Sequence, residues 1–405
     1  LSTPAPEEGS PVPGRRAAEA ALAGLKVLEL ATLNAGPALG AMLADLGADV
    51  VKVEPPTGDD FRVLGAPGGG PPRPGLWNLV ARNKRMVTLD YRTDEGAAVL
   101  ARLTGVADIV LLNQPFGLLE KIGCTYEAIA GRNPGAIVVH VSGWGATGPS
   151  RDLSGNGTLG EAFAGLTDQL RAEGEAPRLS PVLFGDHLTA LAGMIGTLAA
   201  CYWRDANGGR GQFVDVALYE AVVGLLGPQL VTWTPPDPSA DGAPAPRRRG
   251  AGIRQTFATA DGRWVTVTSY SGAQIARLLE AVGVDVAAAG PDPDLARLVG
   301  AWISQNDQAS VLDAFHRARI GIAPVNDLGA LMADPHAVER GAVTEIVDPL
   351  FGPVHLPGPT PRLAATPGRV RWVSRDLGAD NDAVYAEWLD MDPAQLDRLR
   401  SAGVV

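Results

Sequence analysis

Cysteine is scarce in this chain of 405 residues. The two present, Cys124 and Cys201, form neither a disulfide framework nor a zinc spacing, and a reduced, cytoplasmic setting fits that usage. Histidine is also thin. Five residues, with no HExxH and no paired metal spacing, give no expectation of a metal site. Positive charge is in deficit, with a net charge of −11 and a pI near 5.0. That excludes the basic footprint of a nucleic-acid binder; the acidity serves solubility, and an anionic ligand would need a local positive pocket. No run of about 18 apolar residues lacks charges and breakers, so no membrane span is expected. Two phosphate-binding signatures are missing as well: there is no GxGxxG after the first strand and no Walker lysine.

Apolar residues make up 46% of the chain, enough for a large core, and the length suggests about two or three domains. Residues 1–20 are rich in Pro, Glu, Gly and Ser, carry Arg15 and Arg16, and lack an apolar signal core. They read as a disordered lead-in. The chain opens on Leu1, so its natural start is expected to have been processed or to lie upstream. Strands are expected at 25–30, 49–54, 87–90, 107–112 and 136–142, with helices over 38–46, 95–103 and 118–130. This alternation predicts an α/β fold, a Rossmann-like large domain with a parallel sheet and right-handed crossovers. A strand at 212–217 and a helix over 219–225 follow. Residues 234–246, dense in Pro and Ala, read as a linker.

Beyond the linker, a hairpin is expected over 256–268 around Asp261 and Gly262, then helices over 273–282, 294–305 and 311–319. A strand-like return at 320–325, a helix over 328–333, a strand over 342–347 and a helix over 393–401 complete the pattern. The expected division is a large domain over 21–225, a linker over 226–250, a small α/β domain over 251–335 and a C-terminal segment, 336–405, that returns to the large domain.

One carboxylate stands out. Asp186 lies in Pro181-Val-Leu-Phe-Gly-Asp-His, where an apolar run leads into Gly185 and a helical pattern over 188–203. The pattern reads as a strand-to-helix turn and puts Asp186 beside free N–H groups at a helix start. A carboxylate held there has the setting of a nucleophile, with nearby amides stabilising an oxyanion. Asp is also a favoured N-cap, so simple capping is the alternative.

Several segments together resemble the family III coenzyme A transferases, a family that also contains the α-methylacyl-CoA racemases. They are Gly24-Leu-Lys-Val-Leu-Glu-Leu, Gly36-Pro, Leu46-Gly-Ala-Asp-Val-Val-Lys-Val-Glu-Pro-Pro-Thr-Gly-Asp and Asn83-Lys-Arg. Ala107-Asp-Ile-Val, Ser142-Gly-Trp-Gly-Ala-Thr-Gly-Pro, Gly211-Gln-Phe-Val-Asp-Val-Ala-Leu and Gly321-Ile-Ala-Pro-Val continue the match in family order. The resemblance implies a Rossmann-like domain with a smaller α/β domain, an interlocked homodimer, and coenzyme A bound as its acyl thioester with no metal. It implies acyl-CoA and a small carboxylic acid as substrates, with no nucleic acid or membrane partner. Asp186 falls on the family's catalytic aspartate, whose carboxylate attacks the thioester to give a mixed anhydride and then an aspartyl-CoA thioester.

The resemblance also places ligand contacts. Leu33, Asn34 and Ala35 fall where the family lines the thioester pocket, Leu89 and Arg92 at the adenine and phosphate end, Asn113 and Gln114 along the CoA channel, and Lys121 at a phosphate. Asn34 has turn formation as its alternative role. Asn156 occupies the position of the racemase histidine, and a carboxamide takes up no proton near neutral pH, which counts against two-base racemisation. His187 and His140 read as structural. A Gly-rich loop expected of formyl-CoA-type members is missing between 247 and 271, where Arg247, Arg248 and Arg249 stand instead. The first expectation is therefore a CoA-transferase. The alternatives are an acyl-CoA isomerase of the 2-methylacyl type and a CoA-ester-binding protein with altered activity.

Overall fold

The computed structural model describes residues 20–64, 75–172, 174–235, 252–286, 293–349 and 351–405. All of the lead-in but its last residue, most of the linker, and Arg247, Arg248 and Arg249 lie outside the described residues. The chain divides into two compact units, one of residues 1–233 with 342–405 and one of residues 234–341.

The larger unit is built on six parallel strands: β1 (Lys26–Glu29), β2 (Asp49–Glu54), β3 (Arg85–Thr88), β4 (Ile109–Leu112), β5 (Ile137–Ser142) and β6 (Phe213–Ala217), in the order β3-β2-β1-β4-β5-β6. β4 (IVLL) and most of β5 (IVVHVS) are buried on both faces, as the near-continuous apolar runs of a covered parallel sheet require. The helices follow their caps. Thr93 accepts from Gly96 N–H to open α3 (Asp94–Val106), and Thr125 opens α5 (Tyr126–Arg132) in the same way. The single helix expected over 118–130 is two, α4 (Phe116–Lys121) and α5, because Gly123 takes φ +65° and Thr125 starts a new cap. α1 (Ala35–Asp45) and α2 (Gly75–Ala81) complete the first half. α6 (Gly157–Phe163), α7 (Leu166–Gln169) and the long α8 (Phe184–Ala206) follow β5.

The order of strands reverses between β1 and β4. In open α/β sheets this is the point where the loops at the carboxyl ends part and leave a crevice. Here it falls at residues 30–35 and 113–116.

The sheet's β3 edge is closed by the C-terminal residues. Asp380 accepts from Met86 N–H at 2.8 Å, Asn381 accepts from Thr88 N–H at 2.9 Å, and Tyr385 donates to the Thr88 carbonyl at 2.7 Å. The helix Asn381–Leu389 thus satisfies edge groups that would otherwise template another strand. β10 (Val343–Asp348) pairs antiparallel with β11 (Gly352–Pro357). The second strand had no sequence signal, because Pro353 and Pro357 argue against a strand and are tolerated only at an edge.

The smaller unit carries a three-stranded antiparallel sheet of β7 (Ile253–Ala258), β8 (Trp264–Ser269) and β9 (Gly321–Pro324). The helices Gly272–Ala281, Leu295–Ile303 and Gln308–Arg317 cover it, and Val265, Val267, Leu278, Val299 and Phe315 form its core. Among the described residues, no helix is long and apolar enough to cross a membrane.

Candidate active site

A cavity of about 750 Å³ opens at the sheet's switch point, lined by the segments that follow β1 and β4, by the end of β5 and the loop after it, and by the first turns of α6 and α8. Its floor is pinned from beneath. Lys52 Nζ donates to the Ala31 carbonyl at 2.7 Å and lies 2.9 Å from Asp59. Lys84 Nζ donates to both Glu29 oxygens, at 2.8 and 2.6 Å, and to the Pro37 carbonyl at 2.7 Å. Two fully buried lysines therefore fix the β1–α1 turn through its carbonyls. Above them Leu33 adopts φ +64°, a left-handed conformation costly for a branched residue and tolerated where surroundings over-determine it.

Asp186 is partly buried and lines this cavity. The residues before it form no strand; 179–183 are irregular, and α8 starts at Phe184. The expected strand-to-helix turn is therefore a loop-to-helix junction. The capping alternative also falls, since the N-cap position is Leu183 and no side chain caps α8. Asp186 instead sits in the helix's first turn, with its carboxylate over Gly157 at the start of α6. A Cβ added to Gly157 would lie 2.7 Å from both Cγ and Oδ2 of Asp186 and 2.8 Å from Oδ1. Gly185 is equally confined, because its Cβ would meet the Gly157 carbonyl at 2.7 Å, while its N–H donates to the buried Glu161 carboxylate at 2.8 Å. Two glycines thus let the openings of α6 and α8 touch, and the carboxylate occupies the space a side chain would fill.

The loop that delivers Gly157 is folded by the same device. A Cβ on Gly143 would stand 2.6 Å from the Gly155 Cα, and Trp144 Nε1 donates to the Ser154 carbonyl at 3.1 Å. Gly143 and Gly155, from the Ser142-Gly-Trp-Gly and Ser154-Gly-Asn-Gly segments, therefore pack backbone on backbone.

Burial raises the Asp186 pKa above the ordinary carboxylate value, while Asn34, His187 and the Gly157 N–H pull it back. Asn34 is buried and borders the cavity, yet neither its Oδ1 nor its Nδ2 reaches a partner at hydrogen-bonding geometry among the described residues. The carboxamide lies close enough to Asp186 to favour the anion and retains donor capacity for a ligand.

Of the residues expected at the site, Leu33, Asn34, Ala35, Asn113, Gln114 and Asn156 line the cavity with Asp186. Three of them tie side-chain groups to the scaffold, Asn156 through its oxygen alone. Asn113 accepts from Thr32 N–H at 3.0 Å and donates to the Thr32 carbonyl at 2.8 Å, clamping β4 to β1. Gln114 donates to the Leu30 carbonyl at 2.6 Å. Asn156 caps α6 by accepting from Leu159 N–H at 3.1 Å. Leu89, expected near the adenine, is wholly buried in the core, so its side chain has no face for a ligand. Arg92 and Lys121 are exposed and do not line this cavity; Arg92 pairs with Asp90 at 2.9 Å.

His140 corrects the sequence reading of a satisfied core group. Its Nε2 lies 2.9 Å from the Gln114 carbonyl, so it must be the donor, which leaves Nδ1 as an acceptor. Nδ1 has no partner among the described residues, the ring borders the cavity, and burial lowers its pKa. His187 does not border the cavity, and its Nδ1 lies 3.0 Å from the Leu183 carbonyl. Sequence reasoning missed Arg151 and the glycines at 143, 155 and 157; only the Gly-rich spacing of 143–157 hinted at them.

The CoA-transferase family III profile matches residues 22–381. The succinyl-CoA–D-citramalate CoA-transferase of Chloroflexus aurantiacus is 32% identical over 94% of this chain and 97% of that protein. The succinyl-CoA:mesaconate CoA-transferase of Haloarcula hispanica is 32% identical over 81% of this chain and 86% of its own. A CaiB/BaiF family protein from Brucella suis superposes with a TM-score of 0.76 at 30% identity, over 91% of this chain and 99% of that one.

Proposed function

The chain belongs to CoA-transferase family III, and on that premise we propose that Asp186 is the nucleophile through which it moves CoA from an acyl thioester to a carboxylic acid. The observation that carries this reading is the partly desolvated Asp186 carboxylate, set over Gly157 at the end of a cavity and raised in pKa by burial. Desolvation strips the hydration that makes a carboxylate a weak nucleophile in water.

The chemistry balances without a proton or redox partner. An Asp186 oxygen attacks the thioester carbon, the C–S bond breaks, and CoA thiolate leaves a mixed anhydride behind. The thiolate then attacks Cγ of Asp186, releasing the donor's acid and forming an aspartyl-CoA thioester. The acceptor's carboxylate attacks that Cγ and expels thiolate, which finally attacks the acceptor's acyl carbon and frees Asp186. The Asn34 amide and the N–H groups at the start of α6 are the donors proposed for the tetrahedral oxyanions. The CoA arm is assigned to the crevice edge formed by Leu33, Ala35 and the backbone around Asn113.

A second reading, α-proton exchange, has one observation in its favour: the unpartnered Nδ1 of His140 at the same cavity. One experiment separates the two. The protein is incubated with succinyl-CoA, then digested and examined by peptide mass spectrometry with and without hydroxylamine. Transfer predicts CoA or hydroxamate on Asp186. Isomerisation predicts no adduct there and uptake of solvent deuterium at the α-carbon of a 2-methylacyl-CoA.

A homodimer is also proposed. Leu191, Ile195 and Tyr202 are 47%, 71% and 79% exposed along one side of α8, and a continuous apolar stripe of this kind marks an association surface. Light scattering on the purified protein tests it, and a monomer at micromolar concentration would contradict it.

A further inference from the structure

We propose that Arg151 is the residue that selects a dicarboxylic substrate, by holding the carboxylate that does not react while the other end meets Asp186. The inference rests on the reading of Asp186 as nucleophile. An acid reaching Asp186 must enter as an anion a cavity already lined by two carboxylates, Asp186 and Asp152. Among the described residues lining that cavity, Arg151 is the only lysine or arginine.

Its charge is scarcely answered among the described residues. There the one ion partner is Asp152, 4.0 Å from Nε and 78% exposed, an arrangement worth little in water. Nε itself is buried and has no hydrogen-bond partner among the described residues. Yet the group is held in place. The guanidinium stands 4.2 Å from the Phe116 ring centroid, the Phe116 ring packs 4.5 Å from that of His140, and His140 is tied to the Gln114 carbonyl. The backbone is fixed by the turn in which Arg151 N–H donates to the Gly148 carbonyl at 3.3 Å.

A guanidinium stacked on an aromatic face keeps its N–H edge free, and that planar fork matches a carboxylate bidentately. Prior orientation lowers the entropy lost on binding. A monocarboxylic acid leaves Arg151 unmet. The two relatives compared above carry names built on dicarboxylic acids: succinate, citramalate and mesaconate. A phosphate of CoA offers the same anionic chemistry, so the test must distinguish the two sources.

The measurement is kcat/KM for glutarate against pentanoate, acids of equal carbon count, in the wild-type protein, Arg151→Gln and Arg151→Lys. In a double-displacement scheme this ratio is independent of the donor. The wild type should prefer glutarate, and Arg151→Gln should cut the preference by about 10- to 100-fold, the weight of a charge-assisted pair; Arg151→Lys should retain part of it. No preference in the wild type, or an equal loss for both acids as a CoA-phosphate contact would give, overturns the proposal. Glutarate binding is titrated calorimetrically on the same proteins. Glutarate affinity that depends on Arg151 in a protein that transfers CoA to no acid would sink the Asp186 reading and leave Arg151 standing. Active transfer with an unmoved ratio would sink Arg151 alone. Neither transfer nor glutarate binding would sink both.

Discussion

Gly157→Ala isolates the geometry of the site from its chemistry. The new methyl carbon would stand 2.7 Å from Cγ and Oδ2 of Asp186, where ordinary contact begins at 3.4 Å. The carboxylate must therefore retreat by about 0.7 Å, because Gly157 belongs to helical backbone and cannot move freely. Gly157 is not in the left-handed region, so alanine is compatible with its backbone. At the first position of α6 alanine should be neutral or stabilising by up to about 1 kcal/mol. A displacement approaching 1 Å at a reacting group is worth up to about 100-fold in rate. The expected result is a protein that melts at or above the wild-type temperature and transfers CoA about 10- to 100-fold more slowly. Stopped-time chromatography of product CoA esters reads the rate, and scanning calorimetry reads the stability. Gly131→Ala is the control: it too lies in a helix, with nothing within 4 Å of the added carbon, so it should gain up to about 1 kcal/mol of stability and leave the transfer rate unchanged. Wild-type turnover in Gly157→Ala would refute the placement of the reacting carboxylate.

Asp186→Asn should reduce transfer to background yet raise the melting temperature near neutral pH. Burial raises the carboxyl pKa in the folded state, so the folded protein binds that proton more tightly and ionisation opposes folding above the usual Asp range near 4. The ionic part of the melting difference should then shrink as pH falls from neutral through the raised pKa and be gone by about pH 4; a constant difference across pH contradicts it. Asn34→Ala should cost about 100-fold in kcat if the amide faces an oxyanion, with no loss of stability, since Asn34 makes no capping bond at α1 and its amide is unpartnered. A drop in stability without a drop in rate would assign it to structure instead. Lys84→Met should destabilise by about 3–5 kcal/mol in denaturant titration, because Glu29 loses a partner that meets both its oxygens in a fully buried pair. Burial already drives the Lys84 pKa down to about 8 against the pull of Glu29. Lys52 Nζ also lies 3.5 Å from Glu29, and a change below about 1 kcal/mol would show that it alone suffices.

The strand signals in this chain are local, which is why they were readable. The valine and isoleucine runs of β2, β4 and β5 must be buried on both faces wherever the chain goes, and their spacing with the intervening helices leaves few topologies besides a parallel sheet. Where an element's stability comes from distant groups, the sequence was mute. β11 exists because β10 lies beside it, and the helix Asn381–Leu389 matters because its Asp380, Asn381 and Tyr385 neighbours meet the backbone of β3. Helix length over 116–132 was misjudged for the opposite reason: a left-handed Gly123 and a Thr125 cap outweigh a continuous apolar pattern.

By itself the sequence determined the α/β class, the family resemblance and the identity of Asp186 as the carboxylate to watch. The class follows from the period of neighbouring residues, and the other two from motifs whose resemblance to a known family is carried by short segments in order. Only the tertiary structure decided what each polar side chain is free to do. Asn113, Gln114 and Asn156 look like ligands in the sequence but are held by backbone groups, one of them 84 positions away. Asn34 read as a pocket residue or a turn, His140 as a core residue and Arg151 as nothing at all, yet among the described residues each keeps an unmatched polar atom at the same cavity. The reason is that a hydrogen bond is a relation between two positions, and the chain's order carries no record of which partners the fold will supply.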